Sequence, residues 1–237
     1  MTDVAARRFR LAPPAAALAV GGLVLALMIA YVPLAGLAHQ SLNASGDSQP
    51  LAPVVLGTAG LVLASRKPRN PIGWIILAAA VFNALSLDAS FYTVADYRLR
   101  HGGLPFGWVA VLAQPGWAPS LALAGLAVLL FPDGRPPSPR WRWVLWLYLA
   151  AATLYTAGLL IASVGAIAGH DIRVDVSGNL VVLTHATGSS AWWGVIEAVF
   201  FPVLAVAAGD SRRRQVAVPF SRRCGGAGYF CTGVVRR

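Results

Sequence analysis

The sequence predicts an all-α integral membrane protein, a bundle of about six transmembrane helices with both termini in the cytoplasm. The 237-residue chain is 57% hydrophobic and only 12% charged, whereas about a quarter of the residues in a soluble domain are charged. Its apolar residues fall into separate runs, most of them long enough to cross about 30 Å of hydrocarbon. Its cations lie almost entirely between those runs, as they do at membrane boundaries.

Six apolar segments can be counted along the chain, and each is interpreted as one transmembrane span. The first follows a basic N-terminal segment, residues 1–13. The second is short and contains glycine, so it must tilt little or lie in thinned bilayer. The six predicted spans cover residues 14–38, 51–65, 71–96, 104–131, 143–168 and 191–208. They define a membrane domain over residues 14–208, followed by a basic tail over residues 209–237.

Two features interrupt this regular pattern. Pro115, Gly116 and Pro119 lie in the middle of span 4, and two prolines so close together remove backbone donors and kink or break a helix. The segment between spans 5 and 6, residues 169–190, instead alternates apolar and polar residues before a Ser-Gly-Asn turn and a second apolar run. That alternation is typical of a β-hairpin, which we expect to lie over the membrane surface.

The distribution of Lys and Arg predicts the orientation of the chain. Sixteen of the 19 basic residues lie in the N-terminus, the 66–69 turn, the segment 135–142 and the tail. Only Arg98, Arg100 and Arg173 fall in the alternate loops. Because cytoplasmic loops carry the excess of basic residues, the first group is predicted to be cytoplasmic. The predicted location is therefore the cell membrane, with a multi-pass topology.

The net charge of +10 does not indicate nucleic-acid binding, because the cations form no basic helical face. Cys224 and Cys231 match no zinc motif, and the sequence contains no nucleotide-binding, hydrolase or metalloprotease signature. We therefore predict no enzymatic activity, no cofactor and no metal, and the lipid bilayer as the main partner, with homodimer formation left open. The four histidines, interpreted as loop residues on the predicted exterior side, are His39, His101, His170 and His185.

Two carboxylates fall inside predicted spans, Asp88 in span 3 and Glu197 in span 6. An ionisable group in hydrocarbon is costly, so it usually faces the bundle interior and often has a function. Both are predicted in the exterior half, where they could share a sensing or ion site. The alternative is that each is hydrated near the surface or hydrogen-bonded in a packed core. Asn83 and Gln114 are interpreted as interhelical hydrogen-bonding groups.

The turn between spans 2 and 3 carries the motif NPIGW. Asn70 can cap the following helix, and Pro71 suits its first position because the fixed φ of proline is helical. Gly73 and Trp74 follow, and tryptophan prefers the membrane interface. We expect these four residues to shape a cytoplasmic turn rather than to bind a ligand.

The turn between spans 4 and 5 carries the motif FPDGR. Pro132 cannot extend a helix by more than a turn. Asp133 hydrogen-bonds its own backbone, and Gly134 supplies a positive φ. Arg135 then begins a basic segment that ends in interfacial tryptophans, as expected of a cytoplasmic membrane boundary. These residues too are expected to shape a cytoplasmic turn.

At this spacing, RKPRNPIGW (Arg66 to Trp74) and LLFPDGRPPSPRWRWVLW (Leu129 to Trp146) resemble the N-terminal membrane region of a group of actinobacterial sensor histidine kinases. The resemblance runs from roughly residue 20 to residue 214. It implies a sensor or membrane anchor that couples a stimulus to autophosphorylation and a response regulator. In such kinases a cytoplasmic linker, a phosphoacceptor helix and an ATP-binding domain follow the bundle.

The tail departs from this resemblance after residues 211–215, where the expected linker is replaced by a glycine-containing basic segment. A frameshift or premature stop would explain the change, and a disordered basic tail at the anionic inner leaflet is the alternative. The predicted function is the input region of a two-component kinase without its catalytic core. A response regulator is a partner only if a kinase core follows in the intact gene. The alternatives are a small transporter or permease subunit, and a structural protein that binds other membrane subunits.

Overall fold

A computed structural model describes residues 14–39, 50–131, 134, 141–175 and 178–181. Within these residues the chain is all-helical, apart from one antiparallel bridge between Val174 and Leu180. The helices are α1 (Pro14–Leu37), α2 (Leu51–Arg66), α3 (Pro71–Thr93), α4 (Gly107–Ala113), α5 (Trp117–Leu130) and α6 (Trp141–Ala168). A π-helical turn (Val94–Leu99) continues α3, and a 3-10 turn (Gln114–Gly116) joins α4 to α5. The predicted sixth span, the N-terminal segment, the tail, Pro132, Asp133, Arg135, His185 and Glu197 lie outside the described residues.

Four helical segments of the described chain are long and apolar enough to cross a membrane, namely Ala15–Leu37, Pro71–Leu99, Gly107–Leu130 and Trp141–Ala168. Helix α2 has 16 residues, or about 24 Å at 1.5 Å per residue, which is less than the hydrocarbon thickness. Large apolar side chains on the outside of the bundle include Leu25, Ile29 and Ile161, each more than 60% exposed. This surface suits lipid rather than water and indicates an integral membrane protein.

Helix α3 is the centre of the bundle and contacts α1, α2, α4 and α5. Its crossing with α2 is especially close because glycines face backbone on both sides. A Cβ on Gly60 would lie 2.7 Å from the Leu77 nitrogen, and one on Gly73 would lie 2.5 Å from the Ala64 nitrogen. Small residues allow such close approach between membrane helices, where dispersion contacts replace the hydrophobic effect as the source of affinity.

The predicted break in span 4 is confirmed as the 3-10 turn between α4 and α5. Side-chain hydroxyl groups form hydrogen bonds between the broken span and its neighbours, as a broken membrane helix requires. Ser86 of α3 donates to the Gln114 carbonyl, and Ser120 Oγ of α5 donates to the Ala79 carbonyl at 2.8 Å. Tyr148 of α6 donates to the Ala122 carbonyl at 2.7 Å. The break is thus tied to α3 and lies next to α6.

Three helical segments end at a histidine in the left-handed conformation. His39, His101 and His170 have φ values of 51°, 54° and 52° and follow α1, the π-turn and α6. Histidine is among the few non-glycine residues enriched in this region. All three lie at the same end of the bundle as residues 173–175 and 178–181, which we call the hairpin end. The opposite end, which holds Asn70 and Gly134, we call the motif end.

Candidate functional site

Residues 173–175 and 178–181 pair as the two sides of a short hairpin that packs into the helices. The Val181 amide donates to the Arg173 carbonyl, and the Asp175 amide donates to the Asn179 carbonyl, both at 2.9 Å. Val174 and Leu180 are buried in a cluster with Ala38, Val94 and Val111, from the ends of three other helical segments. The alternation in the sequence therefore does produce an antiparallel turn. Its two apolar side chains are buried against the helices, and its position over the membrane surface stays a prediction.

Polar groups of α3 and the broken span fix this hairpin in place. Gln114 Nε2 donates to the Gly178 carbonyl and to Asn179 Oδ1, both at 3.2 Å. Thr93 Oγ1 also donates to the Gly178 carbonyl, at 3.2 Å. Gln114 was expected to bond another helix through its side chain, but that side chain bonds the hairpin, and its backbone carbonyl instead accepts from Ser86 of α3. The single residue Gln114 therefore connects the hairpin, the helix break and α3.

A cavity of about 320 Å³ lies between α2, α3, α5 and the hairpin. Its lining has no charged side chain among the described residues and comprises Ala52, Asn83, Ser86, Leu87, Ser90, Trp117 and Asn179. Asn83, which was expected to bond another helix, is one of these lining residues. The volume falls at the lower end of the range for small-molecule pockets.

Asp88 does not line this cavity. It is 9% exposed and lies about 160° around α3 from Ser86, given 100° per residue. It lies on the side of α3 that carries Phe91, three residues further along the helix, and the Phe91 ring makes an edge contact with Tyr31 of α1 at 5.0 Å. The predicted shared site with Glu197 stays a prediction, because Glu197 lies outside the described residues.

The two turn motifs meet at the motif end. Asn70 is the N-cap of α3 and accepts a hydrogen bond from the Ile72 amide at 3.0 Å, with Pro71 at the start of the helix. Gly134 has a φ of 72° and lies so close that an added Cβ would be 2.6 Å from Pro71 Cδ and 2.9 Å from Asn70 Oδ1. Trp74 is near this contact in sequence, and its buried Nε1 has no hydrogen-bond partner among the described residues.

Sequence reasoning missed Asp96, which served there only as the end of span 3. In the structure it is 1% exposed and lies in the π-turn, a geometry often found at functional sites. Its Oδ1 accepts from the Leu104 amide at 2.8 Å, and its Oδ2 packs against Gly107 at the start of α4. Tyr92 also holds this loop by donating to the Pro105 carbonyl. One signal in the sequence could have identified it. Asp96 comes shortly before a glycine-containing loop and the start of the next helix, where a carboxylate is favoured.

We expect Gln114→Leu to release the hairpin, because it removes both side-chain donors while preserving the apolar volume. The measurement is trypsin cleavage after Arg173, whose side chain is 73% exposed but whose carbonyl is held by Val181. Cleavage in detergent should be faster by about tenfold, as expected for local opening made easier by about 1.4 kcal/mol.

Cleavage after Arg98 and Arg100 is the internal control, because Gln114 does not bond that loop. An equal rise in cleavage at all three arginines would mean global unfolding and would contradict a specific anchor. Thr153→Val is the matched control variant, because the Thr153 hydroxyl bonds only the Leu149 carbonyl of its own helix.

No group of three or more His, Cys, Asp or Glu side chains that could hold a metal ion occurs among the described residues. The described part offers instead an uncharged cavity under an anchored hairpin, and a contact between two turn motifs at the far end. Comparison of the chain with protein-family models, with curated proteins and with solved structures finds no match.

Proposed function

We propose that this chain is the transmembrane input region of a two-component sensor histidine kinase. The observation that carries the proposal is the contact of Gly134 with Asn70 and Pro71, which joins the two motifs on which the resemblance rests. Turns that merely connect helices need no such contact. A receptor does need its cytoplasmic turns held in one arrangement that a stimulus can change.

The proposed architecture has six spans and cytoplasmic termini, with residues 191–208 as the sixth span. The positive-inside distribution supports it, because the motif end then carries the basic turns and the hairpin end faces outward. In this arrangement Gln114 lies toward the exterior end of the broken span, which would receive the stimulus. Gly134 follows the cytoplasmic end of the same span, which would pass the signal on. The hairpin and the cytoplasmic turn are thus connected by α5.

The proposed mechanism is a shift of α5 relative to α3. Movement of the hairpin would displace Gln114, which bonds Ser86 and Asn179. Gln114 lies in the 3-10 turn just before α5. At the other end of α5, any shift changes the packing of Gly134 on Pro71. Packed helices with tight backbone contacts have discrete rather than continuous arrangements, so a small displacement at one end can select between two states.

The experiment is to read the DNA after codon 237 in all three frames. A linker, a phosphoacceptor helix and an ATP-binding domain in another frame would support the proposal, because the chain would then be the front of a kinase. Unrelated DNA would overturn it. In the rejoined gene, we expect Gly134→Ala to change the autophosphorylation rate, whereas Gly102→Ala, at an equally left-handed glycine with nothing within 4 Å, leaves it unchanged.

A small transporter is the second candidate, favoured by the buried carboxylate of Asp88 in α3. Carboxylates inside membrane helices often mark ion or proton pathways. Proton or cation flux into proteoliposomes, abolished by Asp88→Asn, would support this function. The absence of flux with a folded bundle would exclude it and leave the sensor proposal standing.

A further inference from the structure

The cavity at the hairpin end lies where an outside ligand could reach it. Two of its lining residues, Asn179 of the hairpin and Ala52 at the start of α2, are exposed and mark its mouth. From Ser90 to Asn83 it then follows α3 for about 10 Å, at 1.5 Å per residue. The cavity thus leads from the surface toward the middle of the bundle.

The lining selects against charge. The described lining residues have only amide, hydroxyl, indole and aliphatic groups, and Asp88 lies on the opposite face of α3. An ion placed here would lose its hydration without gaining a counter-charge, which is strongly unfavourable. The occupant must therefore be uncharged.

The lining offers both acceptors and donors of hydrogen bonds. The Ser86 hydroxyl donates its proton to the Gln114 carbonyl, and the Ser90 hydroxyl donates to the Ser86 carbonyl at 2.9 Å. Each hydroxyl oxygen therefore presents only acceptor lone pairs to the cavity. The amide groups of Asn83 and Asn179 and the indole of Trp117, which also line the cavity, add N–H donors. An uncharged molecule that both donates and accepts hydrogen bonds matches this lining.

The remaining wall is aromatic and apolar. Trp117 is held in position by an edge contact with Tyr155 of α6 at 5.8 Å, and Leu87 and Ala52 complete the surface. A flat apolar or aromatic group fits against such a wall. The volume of about 320 Å³ is close to that of about ten water molecules at about 30 Å³ each.

We propose that this cavity binds a small uncharged molecule that both donates and accepts hydrogen bonds next to a flat apolar group, such as an aromatic primary amide. Binding at the mouth would contact Asn179 and so change its bond to Gln114. The binding site stands on the cavity alone. Its role as the input of a sensor rests on the function proposed above.

The test uses a reporter thiol at the mouth that leaves every polar lining group intact. Ala52→Cys is made in the full chain with Cys224→Ser and Cys231→Ser, in lipid nanodiscs, and its labelling rate by a water-soluble methanethiosulfonate is measured. The probes are benzamide, benzoate and benzamidinium, which share one ring and differ in charge. Val55→Cys, on α2 but outside the lining, controls for probe that partitions into lipid.

We expect benzamide to slow labelling of the Ala52→Cys thiol about tenfold when present at about ten times its Kd. Benzoate, benzamidinium and the Val55→Cys control should show no effect, and adding Asn83→Leu and Ser90→Ala should remove the protection. Thr58→Ala, whose hydroxyl bonds only carbonyls of its own helix, should keep it. Any of three results would overturn the inference: the reagent does not reach the thiol, benzamide gives no protection, or all three probes protect equally.

This outcome is independent of the DNA reading. Protection together with unrelated downstream DNA would support the site while overturning the kinase proposal. Lack of protection together with a downstream kinase core would overturn the site while supporting the kinase proposal.

Discussion

Alanine at Gly73 or at Gly60 is expected to destabilise the protein by about 1–3 kcal/mol, the usual cost of overpacking a tight interior. At both positions the new Cβ would meet backbone atoms of the facing helix, at 2.5 Å and 2.7 Å. Backbone cannot rotate away as a side chain can, so α2 and α3 would have to separate along their crossing. The measurement is the free energy of unfolding by denaturant titration in mixed micelles.

Gly22 and Gly165 provide matched controls, because both lie inside apolar helices and a Cβ there would meet nothing within 4 Å. Alanine at these positions should be neutral or stabilising by up to about 1 kcal/mol, as its helix propensity predicts. The double variant at Gly60 and Gly73 should cost less than the sum of the single variants, because both separate the same helix pair. Equal effects at all four glycines would contradict a close crossing.

Gly134→Ala is expected to have the second large effect, because it combines two penalties. An L-residue in the left-handed region costs about 1–2 kcal/mol, and the new Cβ would overlap Pro71 Cδ at 2.6 Å. Overpacking adds about 1–3 kcal/mol. The free energy of unfolding, measured in the same way, should therefore fall by more than in any variant that changes backbone conformation alone.

Gly102→Ala separates the two penalties, because Gly102 has a φ of 81° and open space around it. It should lose only the conformational part. In a double-mutant cycle, Pro71→Ala should recover part of the loss from Gly134→Ala, since it removes the Cδ and Cγ atoms that the new Cβ meets. A loss from Gly134→Ala no greater than that from Gly102→Ala, or additivity in the cycle, would mean that the two motifs do not press on each other.

The structure also changes the interpretation of the polar residues. Asp88 and Gln114 both drew attention as rare polar groups in apolar spans, but the fold gives them different surroundings. Asp88 faces α1, whereas Gln114 holds the hairpin through contacts 64 and 65 residues away in sequence. Asp96 looked like a span boundary, yet it is buried and holds the loop that leads into α4.

The sequence by itself determined the class of the protein and the positions where its helices break or turn. Hydrophobic runs, the prolines of span 4 and the Asn70–Pro71 step act through the bilayer or through residues within one helical turn. Such effects are readable without knowing what lies across the bundle. The break at Gln114–Gly116 and the alternation before the hairpin were predicted for this reason.

Only the tertiary structure decided which of these local features meet. The contact of Gly134 with Pro71, the bond of Thr93 to Gly178 across 85 residues and the cavity beneath the hairpin all depend on how α3 packs against its neighbours. Apolar composition on every face leaves a membrane helix with no preferred side, so periodicity cannot assign its partners. Steric fit between small residues and backbone assigns them instead, and that fit exists only once the helices are together.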